Sequence, residues 1–174
     1  MDIALRDERT WLIYAKDISV GLRKEIRETD VGAVMQRLVE DQASLITSLP
    51  LNAAQRVQDL AIRAVIEGGR SDEISGLIMA IGGTTKARAN TIARTEVSRA
   101  STMFTQARAE AIGSDGYIWR SSEDSDVRDE HKELNGKFFK WDEPPVADKR
   151  TGIRAHAGCI WNCRCYAEPV IPED

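Results

Sequence analysis

Residues 85–119 read TKARANTIARTEVSRASTMFTQARAEAIGSDGYIW, and the texture changes at Gly113 within that run. Before it the spacing is helical: Ala89, Ala93, Val97, Ala100, Phe104, Ala107 and Ala111 step by four or three residues and line one face. Most are alanine, so another helix or a sheet can come close, and packing is the expected use of the stripe. This helix is expected from about Thr85 to Ile112, with Gly113 as its natural C-cap. After Gly113, Tyr117-Ile118-Trp119 and Lys137-Phe138-Phe139-Lys140-Trp141 are aromatic, β-favouring runs bounded by Gly, Asp and Pro, and are predicted as strands. Between them a short helix is expected to start at Ser125 or Asp126, pass through Val127 and Leu134, and end at Asn135-Gly136. A loop from Asp142 to Gly158 and a last strand from Cys163 to Ile171 complete the expectation. The fold class is therefore α+β: a helical N-terminal half with a long central helix, packed on a small antiparallel β unit at the C-terminus.

Upstream of Thr85 the chain also has helical spacing. Trp11, Leu12, Ala15, Ile18, Leu22 and Ile26 fall at helical intervals interrupted by Gly21. Thr29 or Asp30 can cap a second segment, whose Val34, Leu38, Ser44 and Leu45 precede the stop at Pro50. Asn52 is expected to cap a third, ending at Gly68-Gly69, and Ser71 to open a short fourth, ending at Gly82-Gly83. Two units follow: a helical region, 1–83, and residues 84–174, the long helix with the β unit. Neither glycine pair is a phosphate cradle, because both end helices instead of opening them after strands.

The 174-residue chain is 42% hydrophobic and 30% charged, enough to bury a core behind a charged surface. No stretch approaches the roughly 18 uninterrupted apolar residues of a membrane span, so no membrane partner is expected. Met1 to Thr10 carries charge from Asp2 onward with no apolar signal core, and export by that route is not expected. The net charge of -4 argues against a globally basic nucleic-acid binder. It also conceals an uneven distribution. Residues 84–112 hold five basic side chains (Lys86, Arg88, Arg94, Arg99, Arg108) against two acidic ones (Glu96, Glu110), between two acidic flanks. Lys86, Arg88, Arg99 and Arg108 are thus candidate contacts to double-stranded DNA or to an acidic partner. The helix has no interleaved aromatics on which bases could stack.

The most specific chemistry lies in the tail. Cys159, Cys163 and Cys165 share ten residues with His156, and an odd count clustered this way excludes a disulfide framework. Thiolates and imidazoles are the donors zinc prefers, and a structural site takes four in a tetrahedron. A Cys-x-Cys pair can ligate from a bent strand, Cys159 can join from the preceding turn, and His131 or His156 can complete the set. These five residues are the candidate ligands of a structural zinc, the one cofactor suggested. The bland alternative is three reduced, partly buried thiols with His156 in a loop.

A catalytic reading also exists. Glu123, Asp124, Asp126, Asp129, Glu130 and His131 crowd together, with Asn135 and His156 downstream, loosely similar to the His-Asn-His arrangement of metal-dependent nucleases. The gap from His131 to Asn135 is short for that arrangement, and acids in such numbers also simply solvate a helix face. A nucleophilic pair of Cys159 with His131 or His156 lacks an identifiable oxyanion donor. No catalytic residue is assigned.

Four blocks in fixed order carry a resemblance: Thr91 to Ala100 (TIARTEVSRA), then Trp119, then Asp126 to Gly136 (DVRDEHKELNG), then His156 and Asn162-Cys163-Arg164-Cys165 with Pro169-Val170. Together they resemble the Mu F-like head morphogenesis family of tailed phages, over roughly residues 84–172. The resemblance implies a non-enzymatic minor capsid protein of the virion, in few copies at the portal vertex or head interior and in the host cytoplasm during assembly. It further implies the portal protein and major capsid protein as partners, contact with genomic DNA, oligomers around the portal, and a part in head assembly, packaging or ejection. Family members are usually longer, which makes this chain a short version or a detached domain. Related domains are coupled to toxin modules, so a metal-dependent nuclease or toxin-like effector on the same domain is the alternative. The shared blocks also make sense as a clamp in which Arg94, Glu96, Arg128 and His131 converge on the Cys-x-Cys strand, the arginines offering planar donors to carboxylates or carbonyls.

Overall fold

The computed structural model describes residues 24, 25, 28, 51–67, 71–82 and 84–172. Nearly all of the two segments expected before Pro50 lies outside the described residues. Helix α1 spans Leu51–Glu67 and α2 spans Ser71–Gly82. The first begins one residue before the expected Asn52 cap, a shift within the ordinary fraying of helix ends. Ala53, Ala54, Val57, Ala61 and Ala64 recur at helical spacing along one buried face of α1, and Ile74 and Ile78 do so on α2. Both faces meet Ala89 and Ala93 of α3, the long helix Lys86–Ala111.

Helix α3 is capped at both ends, by Thr85 and, as expected, at Gly113. Thr85 accepts the Arg88 N–H at its side-chain oxygen. At the other end the Gly113 N–H donates to the Glu110 carbonyl and the Ser114 N–H to the Ala109 carbonyl. That paired arrangement needs a left-handed residue, and Gly113 supplies it with φ +83. Of the alanine-rich stripe, Ala89, Ala93, Ala100, Phe104 and Ala107 are buried and Val97 partly so. Ala111 is exposed, because the helix ends there beyond its neighbours.

The β unit follows. Strand β1, Gly116–Arg120, lies between β2, Phe138–Lys140, and β5, Tyr166–Pro169, antiparallel to both. Tyr117 faces Phe139 and Pro169 in register, and Trp119 faces Ala167. Strand alternation sends Tyr117 and Trp119 to the same side, and both are wholly buried. Tyr117 stacks on Trp141 at 4.6 Å, and Ala109 of α3, Ile160, Cys163 and Cys165 close the core around them.

Three expectations are corrected. The short helix is α4, Asp129–Leu134, starting after Arg128 instead of at Ser125 or Asp126; the preceding residues form a turn in which the Asp126 N–H donates to Asp124 Oδ1. The expected loop 142–158 contains a hairpin of β3, Val146–Asp148, and β4, Ile153–Arg154. Its turn is held by Asp148 Oδ1, which accepts the N–H groups of Arg150 and Thr151. The last strand begins at Tyr166, not Cys163, because the Cys163–Cys165 backbone turns so that the Cys165 N–H points at Cys163 Sγ, 3.4 Å away.

Candidate metal centre

Two elements bring His131, Cys163 and Cys165 together: α4 carries the imidazole, and the bend before β5 carries both thiols. Their ligand-type atoms lie within 4.8 Å of one another and all three residues are buried, a group able to hold a metal ion. The Nδ1 atom of His131 is 3.5 Å from each sulfur. Its Nε2 is 3.0 Å from the Ala147 carbonyl of β3. A carbonyl only accepts, so Nε2 carries a proton there and Nδ1 is the nitrogen turned to the sulfurs, the one that would offer its lone pair to a metal. The ring also stands edge-on to Trp119, centroids 5.3 Å apart.

The sulfurs sit among donors. The indole N–H of the wholly buried Trp119 has no partner at hydrogen-bonding geometry. It faces the Cys165 sulfur closely enough to favour its thiolate form. Without a metal the two thiols compete. The hydrogen bond from Cys165 pulls the Cys163 thiol down, with His131 helping against burial. Cys165 is pushed up by the same hydrogen bond and by burial. For His131, burial works downward but is outweighed by the Cys163 sulfur and the Ala147 carbonyl, and the net direction is up. One negative charge is thus comfortable in the cluster and two are not, unless a cation joins them.

The loop bearing the sulfurs is held by a polar face of α3. Thr95, Glu96, Arg99, Thr102 and Gln106 are all buried. Thr95 Oγ1 accepts the Asn162 N–H at 3.1 Å, Arg99 Nε donates to the Cys159 carbonyl at 2.7 Å, and Thr102 Oγ1 donates to the Ala157 carbonyl at 2.8 Å. Glu96 Oε1 receives Arg99 Nη1 at 2.6 Å. The loop runs so near the helix that a Cβ at Gly158 would come within 2.8 Å of Ser98 Oγ, and φ there is +81. Spacing of 4, 3 and 4 along Thr95, Arg99, Thr102 and Gln106 marks this row in the sequence, beside the alanine stripe.

The other candidates lie elsewhere. Cys159 is buried against Arg99 and Thr102, and burial pushes its thiol up to about 12. Arg94 is exposed, whereas Arg128 donates to the Trp161 carbonyl at 2.9 Å and so reaches the same loop. Arg99, expected above as a contact to DNA or an acidic partner, is 5% exposed and inaccessible to DNA. Lys86 and Arg88 are exposed, and Arg108 pairs with Glu25 at 3.0 Å.

His156 is separate from the cluster. Its Nδ1 is 3.2 Å from the Tyr117 hydroxyl, and its ring meets Trp141 edge-on. Burial lowers it to about 4. An unfolded histidine titrates near 6.5, so below that pH the unfolded chain takes up a proton that the folded chain refuses until about 4. Its contribution is full above pH 6.5 and lost on acidification across that window, on the order of 3 kcal/mol. Urea unfolding of wild type and His156→Gln at pH 7 and 4.5 is expected to show a steeper acid loss in the wild type. Equal losses in both proteins would count against it.

No described helix is long and apolar enough to cross a membrane. The family model described as Phage Mu protein F like protein matches residues 55–168, which takes in most of α1 and all of α2 as well as the β unit. A Haemophilus influenzae protein described as "Uncharacterized protein" is 33% identical over 155 residues, 89% of this chain and 33% of that protein. The chain therefore spans about a third of that relative's length. No solved structure matches.

Proposed function

The chain belongs to the Phage Mu protein F like family, and from that premise we propose that it is a minor head protein of a tailed phage or prophage. In this reading it works with the portal and major capsid proteins in head assembly, genome packaging or ejection. It resides in the virion and, during assembly, in the host cytoplasm. The observation that carries the reading is the family match across α1 to β5. The exposed Lys86, Arg88 and Arg94 spread positive charge around the first turns of α3, within reach of genomic DNA or an acidic partner, and Trp161 and Tyr166 offer exposed aromatic area to a protein partner. Burial of His131, with one nitrogen on a carbonyl and the other on sulfur, supports a structural part over nuclease chemistry, since both ring nitrogens are engaged within the protein.

Co-expression of this chain with the portal protein of the same phage is expected to give a complex that survives affinity purification and gel filtration. Mass spectrometry of purified particles is expected to find the chain in few copies. Failure to bind portal, together with absence from both proheads and mature particles, would overturn the proposal.

We also infer that zinc is the ion the His131, Cys163 and Cys165 group takes. Two thiolates and an imidazole are a soft donor set suited to zinc, whereas calcium and magnesium want oxygen. The Ala147 carbonyl on Nε2 and the unpartnered Trp119 N–H beside Cys165 are the outer partners such a site needs. Bound there, zinc neutralises the two thiolates and ties α4 to the bend before β5.

A further inference from the structure

Resting on that zinc reading, the geometry points to a fourth ligand that the ligand group itself lacks. Structural zinc takes four donors, and His131, Cys163 and Cys165 supply three. All three also line a polar cleft of about 80 Å³, shared with Ser122, Asp126, Val127, Arg128, Asn162 and Arg164. The site is therefore open on one side, and what that side offers decides whether the ion is sealed or exchangeable.

We propose that the Asp126 carboxylate closes the site as its fourth ligand. Asp126 is the one carboxylate among the residues lining the cleft. Its backbone is anchored on both sides: its N–H donates to Asp124 Oδ1, and Val127, which follows it, is buried with its own N–H on the Asp124 carbonyl. The side chain is only loosely engaged. Arg164 Nη2 lies 3.4 Å from Asp126 Oδ2 but 2.7 Å from Asp124 Oδ1, so Asp124 is the better partner, and the Asp126 side chain is 81% exposed. Turning it further into the cleft would give up only the 3.4 Å contact with Arg164.

Charge selects the same group. Two thiolates neutralise a divalent zinc, and the guanidinium groups of Arg128 and Arg164 remain on the rim. Arg164 already pairs with Asp124, so the unbalanced cation is Arg128, which donates to the neutral Trp161 carbonyl, and an anionic oxygen donor suits it better than water does. The resulting donor set, two sulfurs, one nitrogen and one carboxylate oxygen, differs from the cysteine and histidine set that residue types alone suggest. It excludes Cys159 and His156, which sit against Arg99 and Tyr117 respectively.

Cobalt replaces zinc and reports its ligands by colour, so the test is a Co²⁺ titration of the full chain and of Asp126→Ala, with Zn²⁺ competition. The wild type is expected to bind one ion with thiolate charge-transfer absorption and tetrahedral d–d bands that do not respond to acetate. Asp126→Ala should keep the charge-transfer absorption and bind both metals about 10- to 100-fold more weakly, on the scale of lost ligand partners. Its d–d bands should shift on adding acetate, which enters the vacated position. If Asp126→Ala keeps wild-type affinity and an unchanged spectrum, or if acetate perturbs the wild type, Asp126 is not the ligand and water holds the position. If the wild type binds no Co²⁺ with sulfur absorption, the zinc reading itself fails, and the two failures are thereby distinguished.

Discussion

Chelation of zinc from the purified chain is expected to melt the β unit while leaving α1, α2 and α3 helical. The β unit is small, and its core around Tyr117, Trp119 and Trp141 is closed by Cys163 and Cys165 themselves. Structural zinc contributes about 10–16 kcal/mol of apparent binding free energy. That exceeds the stability a unit of this size earns from its core, since whole domains have only about 5–15 kcal/mol. Stripped of metal, two thiols compete for one comfortable negative charge, and the Trp119 N–H loses its thiolate acceptor. The helices have their own core, in which Val57 and Ile78 meet Ala89 and Ala93, and do not depend on the cluster.

The measurement is near-UV circular dichroism, which reads the buried aromatic rings, beside far-UV circular dichroism and metal content. Cys163→Ser and His131→Ala are each expected to reproduce the chelated state. Cys159→Ser is the control: its sulfur faces Arg99 and Thr102, so the variant should keep both its metal and its near-UV signal. A wild type purified without zinc and with full near-UV signal, or a Cys159→Ser protein as damaged as Cys163→Ser, would remove the basis for the zinc staple.

How much of this was legible beforehand differs by element. Helix α3 was visible because alanine at steps of four and three has few other meanings, and its C-terminal stop at Gly113 is local chemistry. Strands β1 and β2 announced themselves through aromatics. The hairpin in 142–158 was hidden because its strands are two and three residues long, too short for alternation to register, and two prolines precede it. Among the five candidate ligands, residue type could not separate His131 from His156 or Cys159 from its neighbours. That choice is made in three dimensions, by the turn of α4 and by the path of the loop over α3. The polar row Thr95, Arg99, Thr102 and Gln106 has the right period, but Thr, Arg and Gln also populate solvated faces. Only the arrival of residues 157–162 on that face makes it buried. Arg94 and Arg99 illustrate the point: five residues apart, they sit about 140° around the helix from each other, so they cannot both face the loop.

Arg99→Leu is the substitution in α3 expected to cost most, about 3–5 kcal/mol, because it strands a carboxylate. Glu96 and Arg99 are 4% and 5% exposed, and each is the other's ion-pair partner. Burial already raises the Glu96 carboxyl against the pull of the guanidinium, so without Arg99 it rises further. The sign follows: a group whose folded pKa is raised loses stability as pH climbs above its unfolded value, so the cost of Arg99→Leu grows from acid to neutral pH. Replacing both residues by leucine removes the stranded charge, and the double variant is expected to be more stable than Arg99→Leu alone. Arg99 also donates to the Cys159 carbonyl, four residues before Cys163, so its loss should loosen the loop and weaken zinc binding as well as stability. Urea unfolding at pH 5 and pH 7, with zinc competition on the same proteins, reads both effects. A loss under about 1 kcal/mol with no pH trend would mean that the pair is dispensable and that Thr95 and Thr102 hold the loop without it.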